Sequence, residues 1–163
     1  MNSGDLIFCH SKGLIGSGIR WAQRRLRNVG EEHKWNHVAV LHEQLPDGDW
    51  TVIQADAHGV RSDDRLSTIA PGGVYEIRPL PDSVNRKLFM EFLLIQTGAK
   101  YGYLSILSVA LDLFLPESIC LRKNGTWICS GLVAGALWFG GFPKMLDVTD
   151  LYTVVPAEIA SWV

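Results

Sequence analysis

The dominant hydrophobic period of this chain changes near residue 80, from strand-rich to helix-rich, and that change constrains the fold more than any other feature. Before it, apolar segments are short and bounded by turn residues. Asp5 to Cys9 predicts a buried strand, and His37-Val38-Ala39-Val40-Leu41 predicts a second that ends at Pro46-Asp47-Gly48-Asp49. Trp50 to Asp56 resumes as a third strand and makes a hairpin with the second. Gly59-Val60-Arg61 opens another extended piece, and Val74 to Arg78 is a strand set between Gly72-Gly73 and Pro79. Ser11 to Gly18 reads as loop. The spacing of Ile19, Ala22, Leu26 and Val29 predicts a short amphipathic helix, with Arg20, Arg24, Arg25 and Arg27 as a solvated face rather than an anion site.

After the change the period is helical. Val84 to Gln96 carries Leu88, Phe92, Leu93 and Ile95 behind the start signal Pro81-Asp82-Ser83. Leu104 to Phe114 predicts a second helix stopped near Pro116, and Cys129 to Phe139 a third. Near the end, Val154 to Ala160 reads as a strand end meeting a helical turn. Strands first and helices second predict an α+β fold. No repeat or linker divides the chain, so residues 1–163 are expected to form one domain.

Charge excludes one class of partner. The 15 basic and 17 acidic side chains leave a formal charge of -2, which gives no footprint for nucleic acid. The apolar run Leu104 to Leu115 is too short for a bilayer span of roughly 20 residues. Trp127 to Phe142 is broken by glycines and is expected to be a core helix. Membrane contact is therefore not expected. The chain passes directly into Gly4-Asp5-Leu6, without a positive leader, and this predicts a cytoplasmic protein. Cys9, Cys120 and Cys129 are an odd number without paired spacing, so a free thiol is expected rather than a disulfide framework.

Of these thiols, Cys129 stands where chemistry is available. In Thr126-Trp127-Ile128-Cys129-Ser130-Gly131 it falls in the first turn of an apolar helix. Unpaired amides and the positive dipole end favour a thiolate there, and the same amides can stabilise an oxyanion. The plainer use of a cysteine in an apolar helix is packing. A nucleophile also needs a base. Of His10, His33, His37, His42 and His58, His37 opens an alternating strand and can be held rigidly, although a strand histidine is often only a satisfied core residue. On the next strand Gln54 and Asp56 share a face, and either can reach His37 across the hairpin to set its tautomer. Cys9, His10, His33 and His37 include metal-ligand types, but no CxxC pair is present and no metal or other cofactor is expected.

In order, these segments resemble the permuted NlpC/P60-like, or permuted papain-like, cysteine hydrolases, including the YiiX-type amidase group. Gly4-Asp5-Leu6-Ile7-Phe8 is similar to the family's opening strand, and Ile15 to Arg20 to its approach to the first helix. Trp35-Asn36-His37-Val38-Ala39-Val40 is similar to its histidine strand. Val52-Ile53-Gln54-Ala55 with Gly59-Val60, and Gly98-Ala99-Lys100-Tyr101-Gly102-Tyr103, match later pieces. Ile128-Cys129-Ser130-Gly131-Leu132-Val133 resembles the cysteine motif, and Val155-Pro156-Ala157-Glu158-Ile159 the closing one. The resemblance implies a papain-like fold in circularly permuted form, with a small antiparallel sheet packed against helices. It implies Cys129 as nucleophile, His37 as base and Gln54 at the orienting position; Tyr101 and Asp56 are expected to bind substrate. A peptide, a muropeptide or an acylated small molecule would be the substrate. Three positions depart from the family: Gln54 replaces an acidic residue, Gly131 a polar one and Gly102 an aspartate. A binding or assembly module that keeps the fold without catalysis is the competing expectation.

Overall fold

The computed structural model describes residues 1–10, 14–24, 29–69, 74–103 and 125–163. It has an α+β architecture built on a five-stranded antiparallel sheet. The strands are β1 (Leu6–Cys9), β2 (His37–Gln44), β3 (Trp50–Asp56), β4 (Gly59–Arg65) and β5 (Tyr75–Arg78), in the spatial order β4-β3-β2-β1-β5. Between β1 and β2 lie helix α1 (Leu14–Gln23) and a 3-10 turn, Gly30–Lys34. The short helix α2 (Leu66–Ile69) follows β4. In the second half α3 (Arg86–Ile95) precedes a two-stranded parallel pair, β6 (Lys100–Tyr101) and β7 (Thr126–Trp127). Then come α4 (Cys129–Phe139), a 3-10 turn at Pro143–Asp147 and α5 (Pro156–Trp162).

The two-residue alternation divides the sheet side chains between two cores. Leu6, Phe8, Val38, Val40, Ile53, Ala55 and Val60 join the larger core with α3 and α4. Ile7, Cys9, Ala39, Leu41 and Val52 join the smaller one with Trp50 and Leu66 of α2. Helix α4 is buried from Cys129 through Leu137, so neighbours must surround it. They do so closely. A Cβ on Gly131 would come within 3.3 Å of the Ile128 side chain and 3.4 Å of the Leu151 carbonyl.

Several expectations shift at their edges. Ser11 to Gly18 is not all loop, because α1 begins at Leu14 and ends at Gln23 rather than running from Ile19 to Val29. Its end is set by tertiary contact: Gln23, 1% exposed, donates to the Trp35 carbonyl at 2.8 Å and accepts from the Ala157 amide at 3.1 Å. One buried amide thus ties α1 to the entry of β2 and to the start of α5. Helix α3 starts two residues later than Val84 because Asn85 caps it, accepting from the Leu88 amide. The helix expected over Leu104 to Phe114, and Cys120, lie outside the described residues. Among the described residues no helix is long and apolar enough to cross a membrane.

Gly59 closes the β3–β4 hairpin at φ 107°, in the left-handed region. It faces Ala99 so closely that a Cβ would lie 2.6 Å from that carbonyl oxygen, which accepts the Val60 amide at 2.8 Å. The contact joins β4 to the segment leading into β6. Gly59→Ala therefore meets both a disfavoured φ and a backbone clash, and should lower unfolding stability by about 2 kcal/mol. A urea titration followed by tryptophan fluorescence measures this as a lower midpoint at unchanged slope.

Candidate active site

Cys129 is the first residue of α4. Ile128 before it is extended (φ -97°, ψ 161°), so the chain turns from strand β7 directly into the helix. Trp127 holds that entry. Its ring stacks on Tyr152 at 5.2 Å, meets Phe92 edge-on at 5.7 Å, and its Nε1 donates to Gln96 at 2.9 Å. The helix end abuts the start of β2. There the Val38 and Ser130 amides and the His37 imidazole all hydrogen-bond to the Cys129 sulfur.

The other face of the imidazole is held from β3. His37 Nε2 lies 2.7 Å from Gln54 Oε1, so the ring is gripped by Cys129 on one side and Gln54 on the other. Gln54 is 5% exposed. Its Nε2 donates to Asp64 Oδ2 on β4 at 2.8 Å, and that same oxygen receives Arg61 Nη2 at 2.8 Å. Arg61 also reaches Asp56 at 2.7 Å. Of the two candidates to orient His37, Gln54 makes the bond. Asp56 is occupied by Arg61 and by the His58 amide, and affects His37 only through its charge.

His37, Gln54, Asp56, Arg61, Tyr101 and Cys129 line one open cleft of about 460 Å³. Cys129 is 7% exposed at its wall. Tyr101 packs edge-on against Tyr103 at 5.0 Å, whose hydroxyl donates to the Ala57 carbonyl at 3.1 Å. The structure therefore brings together every residue that the sequence singled out for this site. Two charged members of the lining escaped the sequence analysis, Arg61 and Asp64. A hairpin register counted from the Ala57-His58 turn finds Arg61, since it pairs directly with Gln54. Asp64 arrives beside Gln54 only through a register shift between Val52 and Gln54. Among the described residues no cluster of three or more His, Cys, Asp or Glu side chains forms a metal site.

The electrostatics favour an ion pair. Burial pushes the Cys129 thiol up, but the His37 charge and hydrogen bond, with the Val38 and Ser130 amides, outweigh it and hold the thiol below its ordinary range. Burial pulls the His37 imidazolium down, and the Cys129 charge and hydrogen bond, aided by Gln54 and the Asp56 charge, leave it raised. Cys9 has no such partner. Burial, with the charge of Cys129 nearby, drives it up to about 12. Tyr101 is also raised, first by burial and then by the charges of Cys129, Tyr103 and Asp56, so its hydroxyl keeps its proton. A thiolate beside an imidazolium is both a nucleophile and a proton donor, which suits attack on a carbonyl carbon and release of its leaving group.

The chain matches no model of a known protein family and no curated protein.

The signs of these shifts set a pH profile. Thiolate appears as pH rises through the lowered Cys129 value, and the imidazolium is lost as pH rises through the raised His37 value. Alkylation of Cys129 by a small haloacetamide should therefore begin well below the ordinary thiol range of about 8.5. Cys9 should stay inert at the same pH. His37→Ala should move the Cys129 inflection upward, as read by mass spectrometry of the labelled peptides.

Proposed function

We propose that this protein is a cysteine hydrolase of the permuted papain-like kind, cleaving an amide or ester through an acyl-enzyme on Cys129. The observation that carries the reading is the His37 ring, held between the Cys129 sulfur and Gln54 Oε1 at 2.7 Å, with the sulfur at the start of an eleven-residue helix. The α+β architecture supports it. The order of the pieces, with the histidine strand before the cysteine helix, is the one the resemblance implies, and it leaves the chemistry available because such sites are defined by geometry rather than chain order.

The reaction follows from the groups present. The Cys129 thiolate attacks the substrate carbonyl carbon, and its electron pair moves onto oxygen. First-turn amides of α4 lack intrahelical acceptors and are the donors best placed to stabilise that oxyanion. His37 gives its proton to the departing amine or alcohol as the bond to carbon breaks, leaving a thioester. Neutral His37 then takes a proton from water, whose oxygen attacks the thioester. Collapse releases the acid and restores the thiolate–imidazolium pair. Gln54 keeps the imidazole in register, and Tyr101 and Asp56 form the wall against which the substrate lies. The substrate is a peptide, a muropeptide or an acylated small molecule that enters an open cleft.

The test is a panel of peptide amides and of short- and long-chain p-nitrophenyl esters. Native protein should turn over at least one class and carry a mass increase equal to its acyl group. Cys129→Ala should abolish both, and His37→Ala should lower kcat on the order of 10³-fold. An acyl adduct that forms equally on the Cys129→Ala variant overturns the assignment, and absence of any adduct or turnover favours a binding module.

A further inference from the structure

The geometry points to Asp64 as a positioning residue that acts through Gln54 to choose the tautomer of His37; this rests on the proposed role of the Cys129–His37 pair. A glutamine side chain is ambiguous by itself, because its two ends are nearly equal in shape and opposite in hydrogen-bonding sense. Turned one way it offers His37 an acceptor, and turned the other way a pair of donors. Only the first orientation places the imidazole proton on Nε2 and leaves Nδ1 to deal with the thiol. In the second, Nε2 would have to accept, and the proton would sit on Nδ1 against the sulfur.

Once His37 has given up a proton, nothing on the ring resolves this choice, since either neutral tautomer satisfies some amide orientation. Asp64 does resolve it. A carboxylate accepts and does not donate, so the end of Gln54 that lies 2.8 Å from Asp64 Oδ2 must be the NH2 group. The oxygen is thereby turned to His37 Nε2 at 2.7 Å. Burial makes the constraint strict, because a turned amide would set oxygen against oxygen at a residue 5% exposed. Arg61 holds the arrangement from behind, joining Asp64 Oδ2 at 2.8 Å and Asp56 Oδ2 at 2.7 Å, so the carboxylate keeps its place. The carboxylate also polarises the Gln54 amide, which makes Oε1 a better acceptor for an imidazolium. The negative charge missing at position 54 is thus supplied one hydrogen bond further out.

Asp64→Asn is the discriminating variant. It keeps size and shape, but asparagine both donates and accepts, so it satisfies Gln54 in either orientation. The readouts are the His37 tautomer, from 15N chemical shifts of histidine-labelled protein, and the pH dependence of Cys129 alkylation. Native protein should show the proton on Nε2 in its neutral imidazole. Asp64→Asn should show a mixture of tautomers, an upward move of the Cys129 inflection and about a tenfold loss of kcat on any substrate found. In a Gln54→Ala background, Asp64→Asn should add nothing, because its connection to His37 is gone. A single Nε2–H tautomer and an unchanged alkylation profile in Asp64→Asn overturn the inference while leaving the cysteine hydrolase intact. An equal loss with and without Gln54 also overturns it. A native Cys129 no more reactive than in His37→Ala overturns both readings.

Discussion

Helix α4 has no wet face over its first nine residues, and most of the structure follows from enclosing it. A helix apolar all round cannot lie on a surface, so sheet, helix and loop must meet it from every side. Strands β2 and β3 take one side, α3 another, and the segment from Phe142 to Val155 closes the remainder. Gly131 and Gly135 let those neighbours approach; a Cβ on Gly135 would come within 2.9 Å of Phe92. The consequence for chemistry is positional. Once α4 is seated, its N-terminus abuts the start of β2, and Cys129 stands opposite His37.

That seating explains why the Cys129 thiol is held below its ordinary range while the buried Cys9 thiol is pushed up. Cys9 and Cys129 are both nearly inaccessible, at 1% and 7% exposure, so burial alone would raise both. Cys129 differs in what else it touches: an imidazole and two backbone amides. Cys9 ends β1, paired with His37 on one side and Tyr75 on the other, and there burial and the Cys129 charge both push its thiol up. Desolvation loses in one place and wins in the other, within a single small protein.

Much of the fold was legible in the residues. The bounds of β3 and α4 follow directly from their patterns, because each is a strong period bounded by turn or start signals. The start of α1 was not, since Leu14 to Gly18 contains two glycines that weigh against a helix in isolation. The helix is held instead by Gln23, whose partners Trp35 and Ala157 are 12 and 134 residues away in sequence. Local propensity carries no trace of such a contact. In the site, Cys129, His37 and Gln54 were legible because each sits at a position of known local geometry.

Asp64 marks the boundary between the two kinds of information. From Asp56↔Gly59 to Gln54↔Arg61 the hairpin register follows from a two-residue turn, and the sequence alone determines it. Beyond Gln54 the pairing moves by one, so that Val52 faces Asp64 rather than Asp63. One extra residue in β4 carries a carboxylate to the Gln54 amide, and the run Arg61-Ser62-Asp63-Asp64-Arg65 reads in isolation as surface charge. The sequence by itself determined the alternation of strands, the apolar helix and the residue types able to do thiol chemistry, because these depend on near neighbours in the chain. Only the tertiary structure decided which carboxylate meets Gln54 and which thiol meets a histidine, because a bulge and a helix seating are settled by packing between distant segments.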